Sequence, residues 1–327
     1  MTGEFERISL FTAPFEKGGG GVVAGPGDDC ALTRPRPGWL LVSKVDELVE
    51  DVHFSAAFRP EEVGHKALAV ALSDLAAAGA TPRWFLVALG LPPGFPDRRL
   101  AGLAKGMSAL ASRTGAILVG GNLTRAGALS LTVTALGEAR EGEALRRSGA
   151  RPGYELLVSG SLGGAALGLR LLSKDGGSRR SWRRSWRRSA AVRSQLTPEP
   201  RVGLGTIAGR YAAAGIDLSD GLLQDLGHLC ERSAVGAELY EENLPLSPEV
   251  KRLGAEGLEL ALGGGEDYEL LFAVAPERVA PFVRAAKRRG ESLTRIGRIV
   301  EGRGIRLLGK GGAPLPLPAS AGWDHFR

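Results

Sequence analysis

The segment from Ala67 to Pro82, ALAVALSDLAAAGATP, contains a single charged residue, Asp74. With Pro60 near its start and Gly79 at its end, the surrounding stretch PEEVGHKALAVALSDLAAAG reads as one helix. An unpaired carboxylate in so apolar a helix is costly if buried, so Asp74 needs a cation or solvent. Whatever fold the chain adopts has to deliver one of these to the middle of that helix.

The rest of the chain alternates. WLLVSKVDEL, ALSLTVTALGEA, YELLVSG and YELLFAVAP read as strands from their apolar and β-branched content. DGLLQDLGHLCERS and PERVAPFVRAAKRRG read as amphipathic helices. The segment RRSGARPGYELL carries the Gly and Pro punctuation of a connection between domains, and 327 residues suffice for two domains of ordinary size. A boundary near residue 150 is expected, giving domains 1–150 and 151–327.

Charge is unevenly spread. The formal net charge is +6, yet residues 174–193, KDGGSRRSWRRSWRRSAAVR, hold eight basic residues and one acid. The basicity therefore belongs to one insertion built on a repeated RRSW word. Basic residues interleaved with aromatics suit RNA or an anionic surface; a solvated insertion separable from the fold is the reading preferred here, with no nucleic-acid partner. No long apolar run of the kind that spans a membrane is present, and no signal peptide is read at MTGEFERISLF. Two cysteines without CxxC spacing, Cys30 and Cys230, fit a reducing compartment, so a cytoplasmic location is expected.

Glycine, at 48 residues, is about twice its usual share of roughly 7%. Much of it sits beside acids. GPGDDCAL sets Asp28 and Asp29 in a glycine turn, and VDELVEDVHF puts Asp46 near a strand end with His53 beyond it. VGGNLTR is expected to end a strand in two glycines. GIDLSDGLLQDL holds Asp217, Ser219 and Asp220 before a helix, and LGGGEDYELLF brings Glu266 and Asp267 to the mouth of a strand. Singly, each is explained by a turn or a helix cap. Together they are what hard cations need: oxygen ligands, close backbone approach and phosphates supplied by a substrate. GxxxxGK[ST], GxGxxG between strand and helix, and GxSxG are all absent, and four scattered histidines do not make a zinc site. A magnesium-rich nucleotide site is the chemistry that remains.

The ordered words GDDCAL, DELVEDVHF, HKALAVALSDLAAAGATPRW, VGGNLTRAG, RRSGARPG, LTPEPRV, IDLSDGLLQDL, GGGEDYELLF and GWDHF resemble the thiamine-monophosphate kinase family. That family shares a superfamily with aminoimidazole ribonucleotide synthetase. The resemblance implies a mixed α/β (α+β) two-domain fold whose N-terminal sheet pairs with its twin in a homodimer. It implies direct, Mg2+-assisted transfer of the ATP γ-phosphoryl group to thiamine monophosphate. By motif matching, Asp29, Asp46, Asp74, Asp217 and Asp220 would hold magnesium, and Asp74, Asp217 and Asp220 would form the catalytic core. Gly121, Asn122, Arg147 and Ser219 would meet ATP, and His53, Glu266 and Trp323 the thiamine substrate.

The chain departs from the family pattern at three places. Lys44 and Val45 stand where a Ser-Thr or Thr-Thr pair precedes Asp46, unless a one-residue slip brings Ser43 there. Asn122 replaces an Asp, and Ala71 an Asn. These changes imply fewer magnesium ions than in relatives, with Lys44 supplying part of the neutralisation. Two alternatives stay open: another ATP-dependent superfamily enzyme acting on a different small substrate, and a degenerate protein that binds nucleotide or anions without turnover.

Overall fold

A computed structural model describes residues 22–24, 31–173 and 189–318. The first part of the chain builds β1 (Val22–Ala24), β2 (Ala31–Arg36), β3 (Trp39–Val49), α1 (Pro60–Ala77), β4 (Thr81–Leu91), α2 (Asp97–Thr114), β5 (Ile117–Arg125) and β6 (Ser130–Arg140). The strands form one sheet in the order β1-β2-β3-β6-β4-β5. After a connection come β7 (Glu155–Ser159), α3 (Gly164–Ser173), α4 (Ala190–Leu196), α5 (Val202–Ala208), β8 (Ala212–Asp217), α6 (Leu222–Ser233) and β9 (Gly236–Tyr240). They are followed by α7 (Pro248–Lys251), α8 (Ala255–Gly263), β10 (Leu270–Val274), α9 (Pro276–Lys287), β11 (Leu293–Val300), β12 (Gly304–Leu308) and β13 (Pro314–Leu315). This second set of strands forms a sheet in the order β13-β12-β9-β11-β7-β10-β8. The mixed α/β architecture inferred from the sequence is what the chain adopts.

Helix α1 is buried at every position from Val63 to Ala77 because it packs against both sheets. Leu68 and Leu72 join Val42, Leu48 and Val133 of the first sheet in one core. One turn on, Ala76 and Ala77 join Leu157 and Phe272 of the second. Each leucine so buried contributes roughly 1.5–3 kcal/mol of transfer free energy, which is why this helix lacks the polar face of a surface helix. Pro60 occupies its first turn, and Gly79, with φ +74°, turns the chain away after its end.

Strand β3 alternates. Leu40, Val42 and Leu48 are buried on the face toward α1, whereas Val45 on the other face is 57% exposed. Lys44 and Asp46 have the same parity as Val42, and the β3–β6 register pairs them with Ala135 and Val133, both fully buried. Ser43 has the opposite parity, so the pairing excludes the slip that would put it in the place of Lys44.

The expectation that the two glycines of VGGNLTR end a strand is corrected. β5 runs through Gly120 and Gly121 to Arg125, parallel to β4. A Cβ at Gly121 would overlap the Val87 carbonyl, so glycine here permits close strand approach and does not signal a turn.

Candidate active site

Most of the glycine-flanked acids converge. A cavity of about 1000 Å³ is lined by Asp46, His53, Asp74, Arg147, Asp217, Ser219, Asp220 and Glu266, with Lys44, Asp225 and Tyr268 in its wall. It lies between the C-terminal part of β3, the C-terminal half of α1 and the loops that follow β8 and precede β10.

Those two loops are one hydrogen-bonded unit. β8 and β10 pair antiparallel with Asp217 opposite Leu270. Beyond the strands, Tyr268 N donates to Leu218 O (2.9 Å) and Glu266 N to Ser219 O (2.7 Å). Gly265 packs on the Ser219 and Asp220 backbone, where a side chain would not fit. Glu266 and Tyr268 adopt φ of +68° and +50°, a left-handed conformation that costs about 1–3 kcal/mol per non-glycine residue and persists only where the surroundings enforce it. Glu266 is gripped from below by α1 and α4. The fully buried Lys66 places Nζ 2.6 Å from Glu266 Oε1, and Gln195 Nε2 donates to Glu266 Oε2 at 2.5 Å.

Asp217 is almost fully buried and accepts a hydrogen bond from Ser73 Oγ at 2.6 Å, which ties β8 to α1 beside Asp74. The backbone N–H groups of Asp220 and Gly221 both donate to Asp225 Oδ2 (3.1 Å), so Asp225 shapes the turn, while Gln224 Nε2 donates to Asp220 (3.2 Å). The acids of IDLSDGLLQDL thus have distinct roles, with Asp225 capping the helix start while Asp217 and Asp220 face the cavity. His53 Nδ1 accepts from Val49 N (3.0 Å), so a neutral His53 carries its proton on Nε2.

Asp74 has the cation that its helix demanded. Lys44 Nζ lies 2.9 Å from Asp74 Oδ2 and 3.4 Å from Asp46 Oδ1. Burial opposes the charge on Lys44, but Asp74 and Asp46 outweigh it and hold its pKa well above the ordinary lysine value. The Tyr268 phenol is pushed well above its usual value, first by burial and then by Glu266, Asp46, Asp217 and Asp220.

Whether these residues suit a divalent ion turns on the donors. Among the described residues no three acid, His or Cys side chains are already gathered into a metal cage. Asp46 Oδ2 is nevertheless buried and accepts no hydrogen bond among those residues. An ion bound by one or two carboxylates and completed by substrate phosphates needs this kind of donor, so the pocket fits magnesium in that form.

Two expected site residues lie elsewhere. Gly121 and Asn122 line a separate, mostly apolar groove of about 840 Å³ between β5 and α2, with Leu103, Met107 and Leu123. Asp29 and Trp323 fall outside the described residues. Asp267, next to Glu266, turns away: its carboxylate accepts from Gly163 N (2.6 Å) and Ala165 N (3.0 Å) at the start of α3. Burial raises its pKa to about 7 against those donors. The sequence does not single out Lys66, Gln195 or Asp225 as site residues; the one signal it holds is Lys66 at the edge of the stretch in which Asp74 is the single charge.

Models of AIR synthase related proteins match this chain in two pieces, the N-terminal domain at residues 27–139 and the C-terminal domain at 151–310. A thiamine-monophosphate kinase of Bacillus subtilis is 33% identical over 309 residues, 94% of each chain. That of Haemophilus influenzae is 35% identical over 99% of this chain and 98% of its own. The solved structure of AaThiL complexed with AMPPCP and TMP superposes with a TM-score of 0.84 at 33% identity, covering 99% of this chain and 97% of the other. With full-length similarity of this degree, on a fold that gathers the acids of its motifs around one pocket, the chain belongs to the thiamine-monophosphate kinase family.

Proposed function

We propose that the chain transfers the γ-phosphoryl group of ATP to the phosphate of thiamine monophosphate, releasing thiamine diphosphate and ADP. The observation that carries this reading is the single pocket in which Asp46, Asp74, Asp217 and Asp220 face Arg147, His53 and Glu266. In the transfer a phosphate oxygen of the acceptor bonds to γ-phosphorus as the bond to the β-bridging oxygen breaks. The acceptor is already ionised, so no strong base is needed and the demand is for charge neutralisation and in-line positioning.

Asp46, Asp217 and Asp220, with Asp74 beside them and Asp29 from outside the described residues, would hold magnesium. When bound, the ion neutralises the phosphate oxygens and templates their approach. Ser219 and Arg147 contact the nucleotide. Glu266, held by Lys66 and Gln195, and His53, with its proton on Nε2, orient the thiamine end, and Trp323 contributes from outside the described residues.

The role of Gly121 and Asn122 as nucleotide contacts requires a second copy. β5 is an exposed edge strand, and Ile117, Leu118, Val119 and Leu123 on it are each more than half exposed. Unpaired edges and apolar patches of this kind favour association. A homodimer joined through this sheet completes the nucleotide site. A domain boundary near residue 150, a cytoplasmic location and no nucleic-acid partner complete the reading; among the described residues no helix is long and apolar enough to cross a membrane.

The test is product analysis of the purified chain with ATP, thiamine monophosphate and Mg2+. Equimolar ADP and thiamine diphosphate are expected. ADP formed equally well without the acceptor, or no turnover at all, would refute the proposal.

A further inference from the structure

We propose that the Lys44 ammonium is a built-in cation of the pocket, standing where a divalent ion would otherwise neutralise Asp46 and Asp74. The proposal deepens, and rests on, the reading of this pocket as a site for metal-bound phosphates.

Three observations support it. The first is placement: strand alternation puts Lys44 and Asp46 on the β3 face that meets α1, and the register fixes them there opposite buried residues of β6. The second is contact: one ammonium reaches carboxylates from two elements, at 2.9 Å to Asp74 and 3.4 Å to Asp46. Asp217, bound to the neighbouring Ser73, lines the same cavity as Lys44. The third is exposure. The Lys44 side chain retains 23% of its accessible surface and lines the cavity, so its charge is available to a ligand as well as to the carboxylates.

An ammonium is a compact point charge with three donors and no preference for octahedral geometry. It neutralises two carboxylates at once and can approach a phosphate oxygen. It cannot bridge several phosphate oxygens as Mg2+ does. The geometry therefore assigns Lys44 two effects. It orders the acids in the absence of metal, and it lowers the number of divalent ions that the loaded pocket takes up.

The experiment counts ions. Mn2+ binding to the full chain is titrated by electron paramagnetic resonance, alone and with AMPPCP, for wild type, Lys44→Met, Lys44→Gln and Lys44→Arg. Both neutral variants should bind one more Mn2+ than wild type, at least tenfold tighter than any wild-type site in the nucleotide-free protein. Their melting temperatures, lowered without metal, should rise with Mn2+ and not with NaCl of equal ionic strength. Lys44→Arg should count as wild type. An unchanged count and affinity in both neutral variants, or a Mn2+ response of the melting temperature no greater than that of wild type, would overturn the proposal. The count is independent of turnover: a gain of one ion in variants of a protein that makes no thiamine diphosphate would uphold the role of Lys44 and refute the kinase reading.

Discussion

Glu266 shows how a single residue is set to work from behind. Its carboxylate is one-quarter exposed to the cavity, while Lys66 beneath it has no exposed surface and also lies 5.4 Å from the centre of the Phe58 ring. Removing one partner of a buried pair is strongly destabilising because the other is left uncompensated. Lys66→Met should therefore lose about 3 kcal/mol, the low end of the range because Glu266 keeps some solvent. It should also raise KM for thiamine monophosphate more than it changes kcat, since Glu266 would lose its orientation but not its charge. Urea denaturation and steady-state kinetics check the two parts, and unchanged KM values in a folded variant would remove Glu266 from the acceptor site. The pairing of Lys44 with Asp74 makes the same point about reading residues. The need for a cation at Asp74 is legible in the sequence because no neighbour on its helix is charged. Which cation meets it is left to the fold, since the two positions lie on different elements and only the strand's facing brings them together.

At the scale of elements, helix α1 carries Lys66, Ser73 and Asp74 to three different partners, on the loop before β10, at the end of β8 and on β3. The loops at β8 and β10 are legible because Gly, Asp and Ser are concentrated there, and both face the pocket. The glycines of β5 mislead for a physical reason: a glycine pair looks the same whether it makes a turn or lets two strands approach closely. The loop before β10 also sends Asp267 to the start of α3, which gives a pH signature. Its folded pKa of about 7 lies above the ordinary carboxyl value of 3.8. Between those values the folded chain keeps a proton that the unfolded chain releases, so this group makes stability fall as pH rises from about 4 to 7. Asp267→Asn should remove that contribution, so that wild type loses at least about 1 kcal/mol more than the variant between pH 4.5 and pH 8. Parallel urea titrations at the two pH values measure it, and identical losses would show that Asp267 is ionised throughout.

Over the whole molecule, the last residues of the basic segment 174–193 belong to α4. Residues 174–188 lie outside the described residues, but Ser189 caps α4, and its hydroxyl and the N–H groups of Ala190 and Ala191 bind Glu249. Composition alone does not show that residues 189–193 open a helix, because arginine and serine are as acceptable in a first helical turn as in a loop. Replacing 174–188 with a Gly/Ser linker should leave stability and kinase activity near wild type and remove most non-specific, salt-sensitive binding to nucleic acid. Replacing 174–193 should cost in addition about 1 kcal/mol for the lost cap and roughly 1.5–3 kcal/mol for the buried Val192. Loss of catalysis in the folded shorter variant would mean that the arginines act at the cavity, whose rim includes Leu172 and Ser173 just before the segment.

Phosphoryl transfer among Asp46, Asp74, Asp217, Asp220 and Glu266 is tested most directly by a crystal structure of the chain with AMPPCP, thiamine monophosphate and Mn2+, with the metal located by its anomalous signal. The terminal phosphonate and the thiamine phosphate are expected in the acidic cavity. Manganese should lie against Asp46, Asp217 or Asp220, and Lys44 should keep its contact with Asp74. Both ligands bound in the groove between β5 and α2, or an acidic cavity containing neither phosphate nor manganese, would contradict it.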